Sequence, residues 1–274
     1  MTEPDQPVVP ARRRLTVDLG EVAIDLIAEG HGPVLVMLPS RGRGSEDFDE
    51  VAGRLAGSGF RVLRPQPRGA GRSTGPLEGV RMQDLARDVA RVIEREAAGP
   101  AVILGHAFGS WIARMVAVAH PRLVAGIVLV AAAAKSFPRE LAVAVEQSGA
   151  IDLPRDLRLA ALRLGFFAQG HDPTPWLDGW FPAAHRVQVT AAAATPQHEY
   201  WHAGNAPLLE LIPEQDPFKP REKWSETRDD FGARVETVII PGASHALIPE
   251  QPAAVVAVVV PWARAKLAGS PPLA

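Results

Sequence analysis

The chain has 274 residues, 47% hydrophobic and 22% charged, enough for one large domain or one domain with an insertion at roughly 150 residues per domain. Its 29 basic and 31 acidic residues leave a net charge of −2, so no basic excess points to nucleic acid or to an anionic membrane surface. Cysteine is absent, which excludes disulfides, thiolate catalysis and Cys-based zinc sites.

Residues 1 to 10 read as a solvated tail. No apolar stretch of signal type follows Arg12-Arg13-Arg14, so a soluble cytoplasmic protein is expected. Leu15 to Leu26 alternates around a glycine and suits an antiparallel hairpin. Val34 to Leu38 is a continuous apolar run of strand length, ended by Pro39. Phe48 to Leu55 reads helical, and Phe60 to Leu63 reads as the next strand. Met82, Leu85, Val89, Val92 and Ile93 fall at helical spacing. Ala101 to Leu104 is a third buried strand, Trp111 to Ala119 a helix, and Leu123 to Val130 a fourth strand. The longest apolar run, Leu123 to Ala134, is short of the roughly 18 residues that cross a bilayer. Apolar strands alternating with amphipathic helices predict a parallel sheet covered on both faces.

Between residues 136 and 204 the strand signal stops, and helical periodicity with Trp176, Trp180 and Trp201 replaces it. Leu208 to Ile212 and Val235 to Ile240 restore strands, and a last helix covers Gln251 to Leu267. The expected organisation is an α/β core over 1–135 and 205–274, interrupted by a helical cap over 136–204. Such a cap belongs over the C-terminal edge of the sheet, where open α/β sheets bind ligands.

The most informative stretch is the strand Ala101 to Leu104, then Gly105-His106-Ala107-Phe108-Gly109, then a helix. Strand, G-x-x-x-G and helix make the context of a nucleophile elbow. With it, the chain resembles the α/β-hydrolase superfamily over almost all of residues 15 to 267. Arg68-Gly69-Ala70-Gly71-Arg72-Ser73 is similar to that family's R-G-x-G-x-S loop. Pro213-Glu214-Gln215-Asp216-Pro217, directly after a strand, matches its acid position, and Gly242-Ala243-Ser244-His245 matches its G-x-x-H position. The resemblance implies an α/β-hydrolase fold, a mostly parallel doubly wound sheet with a helical cap inserted. It also implies Asp216 as the orienting carboxylate and His245 as the base.

Two departures stand out. Ala107 holds the nucleophile position and has no oxygen, whereas serine catalysis needs a hydroxyl beside the base. Either a parental serine has been removed by engineering, or the natural sequence uses its His–Asp pair without one. Ser110 lies one helical turn further on, with its side chain expected to point away. The other departure is Pro39-Ser40-Arg41-Gly42-Arg43-Gly44, where most relatives have His-Gly. The resemblance gives the backbone N–H groups of Arg41 and Phe108 to an oxyanion hole. Two arginines in this loop favour an anionic substrate, or else mark a solvated loop.

Ser40, His106, Trp176 and Trp180 are the candidate substrate contacts, though His106 also reads as a structural histidine. Phe166, Phe167 and the tryptophans either pack the cap onto the core or line an apolar pocket. His198-Glu199-Tyr200-Trp201-His202 fits H-E-x-x-H, but the stretch between Pro196 and Pro207 is too cramped for a zinc helix. No nucleotide fingerprint survives, because the third glycine required after Gly69 and Gly71 is Thr74. No cofactor or metal is implied. The expected activity is hydrolysis of a small apolar ester, lactone or related carbonyl compound. The alternatives are cofactor-free His–Asp base catalysis of lyase, cyclase or oxygenase type, and a non-catalytic ligand-binding homologue. The expected partner is a small molecule, with no nucleic acid and no membrane, and a homodimer stays open.

Overall fold

A computed structural model describes residues 12–268; the tail expected over 1 to 10 lies outside them. The strands are β1 Arg13–Asp18, β2 Ala23–Glu29, β3 Val34–Leu38, β4 Arg61–Pro65, β5 Ala101–His106, β6 Val124–Val130, β7 Leu208–Pro213 and β8 Val235–Ile240. They form one sheet in the order β1-β2-β4-β3-β5-β6-β7-β8. β1 and β2 pair antiparallel, as do β2 and β4, and every other neighbouring pair is parallel. This is the α/β-hydrolase architecture that the sequence predicts.

The helices are α1 Asp49–Gly57, α2 Met82–Glu96, α3 Phe108–Ala119, α4 Arg139–Gly149, α5 Arg155–Gly165, α6 Pro182–Ala193, α7 His198–Trp201, α8 Glu226–Phe231, α9 Leu247–Glu250 and α10 Pro252–Ala268. β3, β5 and β7 are buried at every position, because helices cover both faces of a parallel sheet and no face is left for polar residues. Alternate side chains serve opposite layers. Val36 and Ile103 join Leu85, Val89 and Val116 from α2 and α3 on one side. Leu35, Met37, Val102 and Leu104 join Val51, Leu55, Val255 and Trp262 from α1 and α10 on the other. Each such buried side chain contributes about 1.5–3 kcal/mol.

Residues 136–204 hold α4 to α7 and no strand. They bring Leu141, Val145, Leu162, Phe166, Trp176 and Trp180 against Ala133, Phe218 and Ala246 beyond the C-terminal ends of the strands. Among the described residues no helix is long and apolar enough to cross a membrane.

The junction of β5 and α3 places the central residue of the G-x-x-x-G segment. Ala107 has φ 49 and ψ −113, a conformation costing an L residue about 1–3 kcal/mol. The surroundings over-determine it. Its N–H donates to the Val130 carbonyl at 2.9 Å and its carbonyl accepts from the Ser110 N–H at 3.0 Å. A Cβ on Gly105 would lie 2.4 Å from the Gly109 carbonyl oxygen, and one on Gly109 would lie 2.2 Å from that of Leu38. Both obstacles are backbone, which cannot swing aside. Gly109→Ala is therefore expected to destabilise the protein by about 1–3 kcal/mol or more, read as a lower urea midpoint with an unchanged slope.

Candidate functional site

Five strand ends converge on one pocket, because parallel strands deliver their C-terminal loops to the same edge. Ser40 and Arg41 come from the loop after β3, Ala107 and Phe108 from the turn after β5, and Ala133 from the loop after β6. Phe218 follows β7 and His245 follows β8. Phe137, Ala142, Val145 and Phe166 close the far wall, and Trp111 of α3 completes it. The space is about 430 Å³ with its open mouth. A second cavity, about 460 Å³, shares only Phe108 with it and meets neither Ala107 nor His245. Its charged wall is the ion pair of Arg68 and Asp88 at 2.6 Å.

His245 and Asp216 are brought together. Nδ1 of His245 lies 3.1 Å from Oδ1 and 3.0 Å from Oδ2 of Asp216, and both residues are buried. The carboxylate is held in turn by the Phe218 N–H, which donates to Oδ1 at 2.9 Å. Phe218 also lays its ring against the imidazole, with centroids 4.2 Å apart. Nδ1–H donating to the carboxylate fixes the tautomer that leaves Nε2 as the acceptor. Nε2 has no partner among the described residues, and the imidazole and Ala107 line the same pocket. Ser110 is not a substitute nucleophile, since its hydroxyl donates to the Ala107 carbonyl at 2.6 Å.

The loop after β3 is fastened along its length. The Gly42 N–H donates to Oε1 of Gln188 at 2.7 Å, the Arg43 N–H to the Ser40 carbonyl at 3.1 Å, and the Phe181 N–H to the Gly42 carbonyl at 2.8 Å. The N–H groups of Arg41 and Phe108 are committed to no acceptor among the described residues. The two arginines have opposite fates. Arg43 is buried, bidentate to Asp47 at 2.6 and 2.8 Å, and stacked on Trp176 and Trp180.

His106, Trp176 and Trp180, expected to touch the substrate, are not among the residues that line the pocket. Trp176 and Trp180 sandwich Arg43 and pack on Phe166, so they join the inserted segment to the core. His106 is fully buried and its Nε2 donates to the His245 carbonyl at 2.7 Å. It thus contacts the histidine loop through that loop's backbone. The H-E-x-x-H stretch forms a single turn, α7, and Glu199 accepts from Gln83 and Arg81.

Sequence reasoning missed Glu250. Its Oε1 accepts the Ala168 N–H and its Oε2 the Ser244 N–H, both at 2.6 Å. One buried carboxylate thus ties the inserted segment to the loop that carries His245. Its place five residues beyond His245 is its only sequence signal. Removing it strands two amides, and Glu250→Ala is expected to cost about 1–3 kcal/mol in urea unfolding, with Glu250→Gln between the two.

Burial, then the neighbouring His245, pushes the His106 ring from 6.5 down to about 3. Between those values the unfolded chain binds a proton that the folded chain refuses. The corresponding stability is present above about 6.5 and is lost as pH falls towards 3. His106→Gln, which keeps a donor for the His245 carbonyl, is expected to flatten the pH dependence of the urea midpoint in that window.

Comparison with known proteins agrees with this geometry. The profile of the Alpha/beta hydrolase family matches residues 35–258. A Variovorax paradoxus protein provisionally named carbamate hydrolase is 37% identical over 112 residues, which are 39% of this chain and 42% of that protein. The 2-(acetamidomethylene)succinate hydrolase of Mesorhizobium japonicum is 29% identical over 114 residues, 42% of this chain and 41% of that protein. The chain thus spans about two-fifths of the length of these curated relatives. The structure of a thermophilic esterase from Thermogutta terrifontis superposes with a TM-score of 0.76 at 19% identity, covering 94% of this chain and 99% of that one. At that identity the likeness speaks for the fold.

Proposed function

Because the chain belongs to the Alpha/beta hydrolase family, we propose that it hydrolyses a small, largely apolar ester, lactone or related carbonyl compound, with His245 activating water directly. The observation that carries the reading is the His245–Asp216 pair at 3.0 Å beside an alanine at the strained elbow position. Relatives whose names denote hydrolysis of carbonyl compounds support the same class.

In this reading Nε2 of His245 removes a proton from a water on the Ala107 side of the ring. The water oxygen attacks the carbonyl carbon, and the negative charge passes to the carbonyl oxygen. The N–H groups of Arg41 and Phe108 receive that oxyanion, helped by the positive end of α3. Asp216 holds the imidazolium that forms. Collapse breaks the bond to the leaving oxygen, which takes the proton from Nε2, giving acid and alcohol. The Ala107 methyl offers no oxygen for an acyl-enzyme, so water attacks in a single addition. The aromatic and aliphatic wall of the pocket, with Ser40 at its edge, binds the apolar part of the substrate. Residues 136–204 serve as the cap that keeps bulk water out.

His245→Ala is expected to lower hydrolysis of short acyl esters and lactones by roughly 10²–10⁴-fold. Ala107→Ser supplies the one oxygen absent from the relay, so it is expected to raise esterase activity and to be labelled by a serine-directed phosphonate. The parent chain should stay unlabelled. A serine variant that is inert and unlabelled would show that the Ser40-Arg41 loop cannot hold an oxyanion. A second reading, proton abstraction from substrate carbon by His245, draws on the same absent hydroxyl. It predicts deuterium exchange from solvent into the substrate without cleavage.

A further inference from the structure

We infer that Arg41 selects substrates bearing a carboxylate a short distance from the reacting carbonyl, an inference that rests on the hydrolase reading above. Arg41 lines the pocket with ten apolar, hydroxyl or aromatic residues and His245. Its guanidinium carbon stands 5.2 Å from the Phe108 ring centroid and 5.8 Å from that of Trp111, and both rings are pocket wall. Its Nε is buried with no hydrogen-bond partner, and no carboxylate lies in ion-pair range of Arg41 among the described residues. The carboxylate that acts on it electrostatically, Glu146, accepts Nε2 of His185 at 2.8 Å.

A half-buried guanidinium so placed is costly, since partial burial penalises its charge and lowers its pKa from 12.5, and a charge drawn out of water is normally paired. Its neighbour Arg43 shows what a structural arginine looks like here, with Asp47 and two carbonyls satisfying it. Arg41 lacks that satisfaction, and the two aromatic faces hold its fork open towards the pocket. The missing partner is an anion in the pocket. A carboxylate fits the fork by bidentate pairing, and the apolar wall fits the short chain joining it to the ester. Because the same residue presents its backbone N–H to the carbonyl oxygen in the hydrolase reading, one residue would gauge the distance between the two groups.

The test compares p-nitrophenyl hemiglutarate, which carries a carboxylate, with p-nitrophenyl butyrate, which does not. It also measures binding of glutarate itself, which cannot be hydrolysed, by calorimetry. The parent is expected to favour the hemiglutarate in kcat/KM and to bind glutarate. Arg41→Met should lower that preference roughly 10- to 100-fold and abolish glutarate binding, and Arg41→Lys should keep part of both. If the Met variant does not fold, the partial loss in the Lys variant is read instead. Equal effects on both esters, with no glutarate binding by the parent, would make Arg41 a structural stacking residue and overturn the inference while the hydrolase reading stands. Arg41-dependent glutarate binding without turnover of any ester would leave the inference in place and remove the hydrolase reading.

Discussion

The contact on which the rest of this structure depends is the approach of Gly109 to the Leu38 carbonyl. There α3 comes so close to β3 that no side chain fits between them. That closeness fixes where α3 starts, and so fixes the strained Ala107 and the N–H of Phe108, which has no acceptor among the described residues. Arg41 follows Leu38 by three residues, so the same contact sets the distance between the two uncommitted amides. A helix start pressed onto two strands cannot drift, and the amides are positioned before any ligand arrives.

Charge is managed in two ways within three residues. Arg43 is neutralised by Asp47 and consumed in joining the loop to the carbonyls of Trp176 and Asp178. Among the described residues, the Arg41 side chain meets ring faces and no hydrogen-bond partner. The difference follows from direction. Gly42, at φ 69, reverses the chain between them, so one arginine turns into the packed wall and the other towards the cavity. A Cβ at Gly42 would meet His185 at 3.0 Å, so the reversal depends on glycine.

Much of the fold was legible because its determinants are local. Continuous apolar runs at Val34–Leu38 and Ala101–Leu104 identify strands buried on both faces, and the spacing of Leu85, Val89 and Val92 identifies a helix with one buried stripe. Asp216 and His245 were legible because each lies a few residues beyond such a strand. What was not legible depends on pairings between remote parts of the chain. Gln188 meets Gly42 across 146 positions and Glu250 meets Ala168 across 82, and no periodicity records such partners. The aromatic residues of the insertion announced a packed wall but not its sides. Phe166 reached the pocket, while Trp176 and Trp180 turned to Arg43. Phe218, only two residues past Asp216, had no apolar pattern around it, yet it buttresses the imidazole.

The fastening of the loop after β3 also decides which part of the insertion has to stay in place. Gln188, Phe181 and the carbonyls of Trp176 and Asp178 all belong to the half of the insertion that grips residues 42 and 43. Swinging that half outward would tear these bonds and take the Arg41 amide out of line. Among the described residues α4 makes no side-chain hydrogen bond to the core; its Glu146 pairs with His185 of α6 at 2.8 Å. It reaches the pocket through Ala142 and Val145, whose side chains offer the ligand only apolar surface. The half that grips residues 42 and 43 is thus the doorpost of the pocket, whose rigidity keeps the Arg41 amide in line.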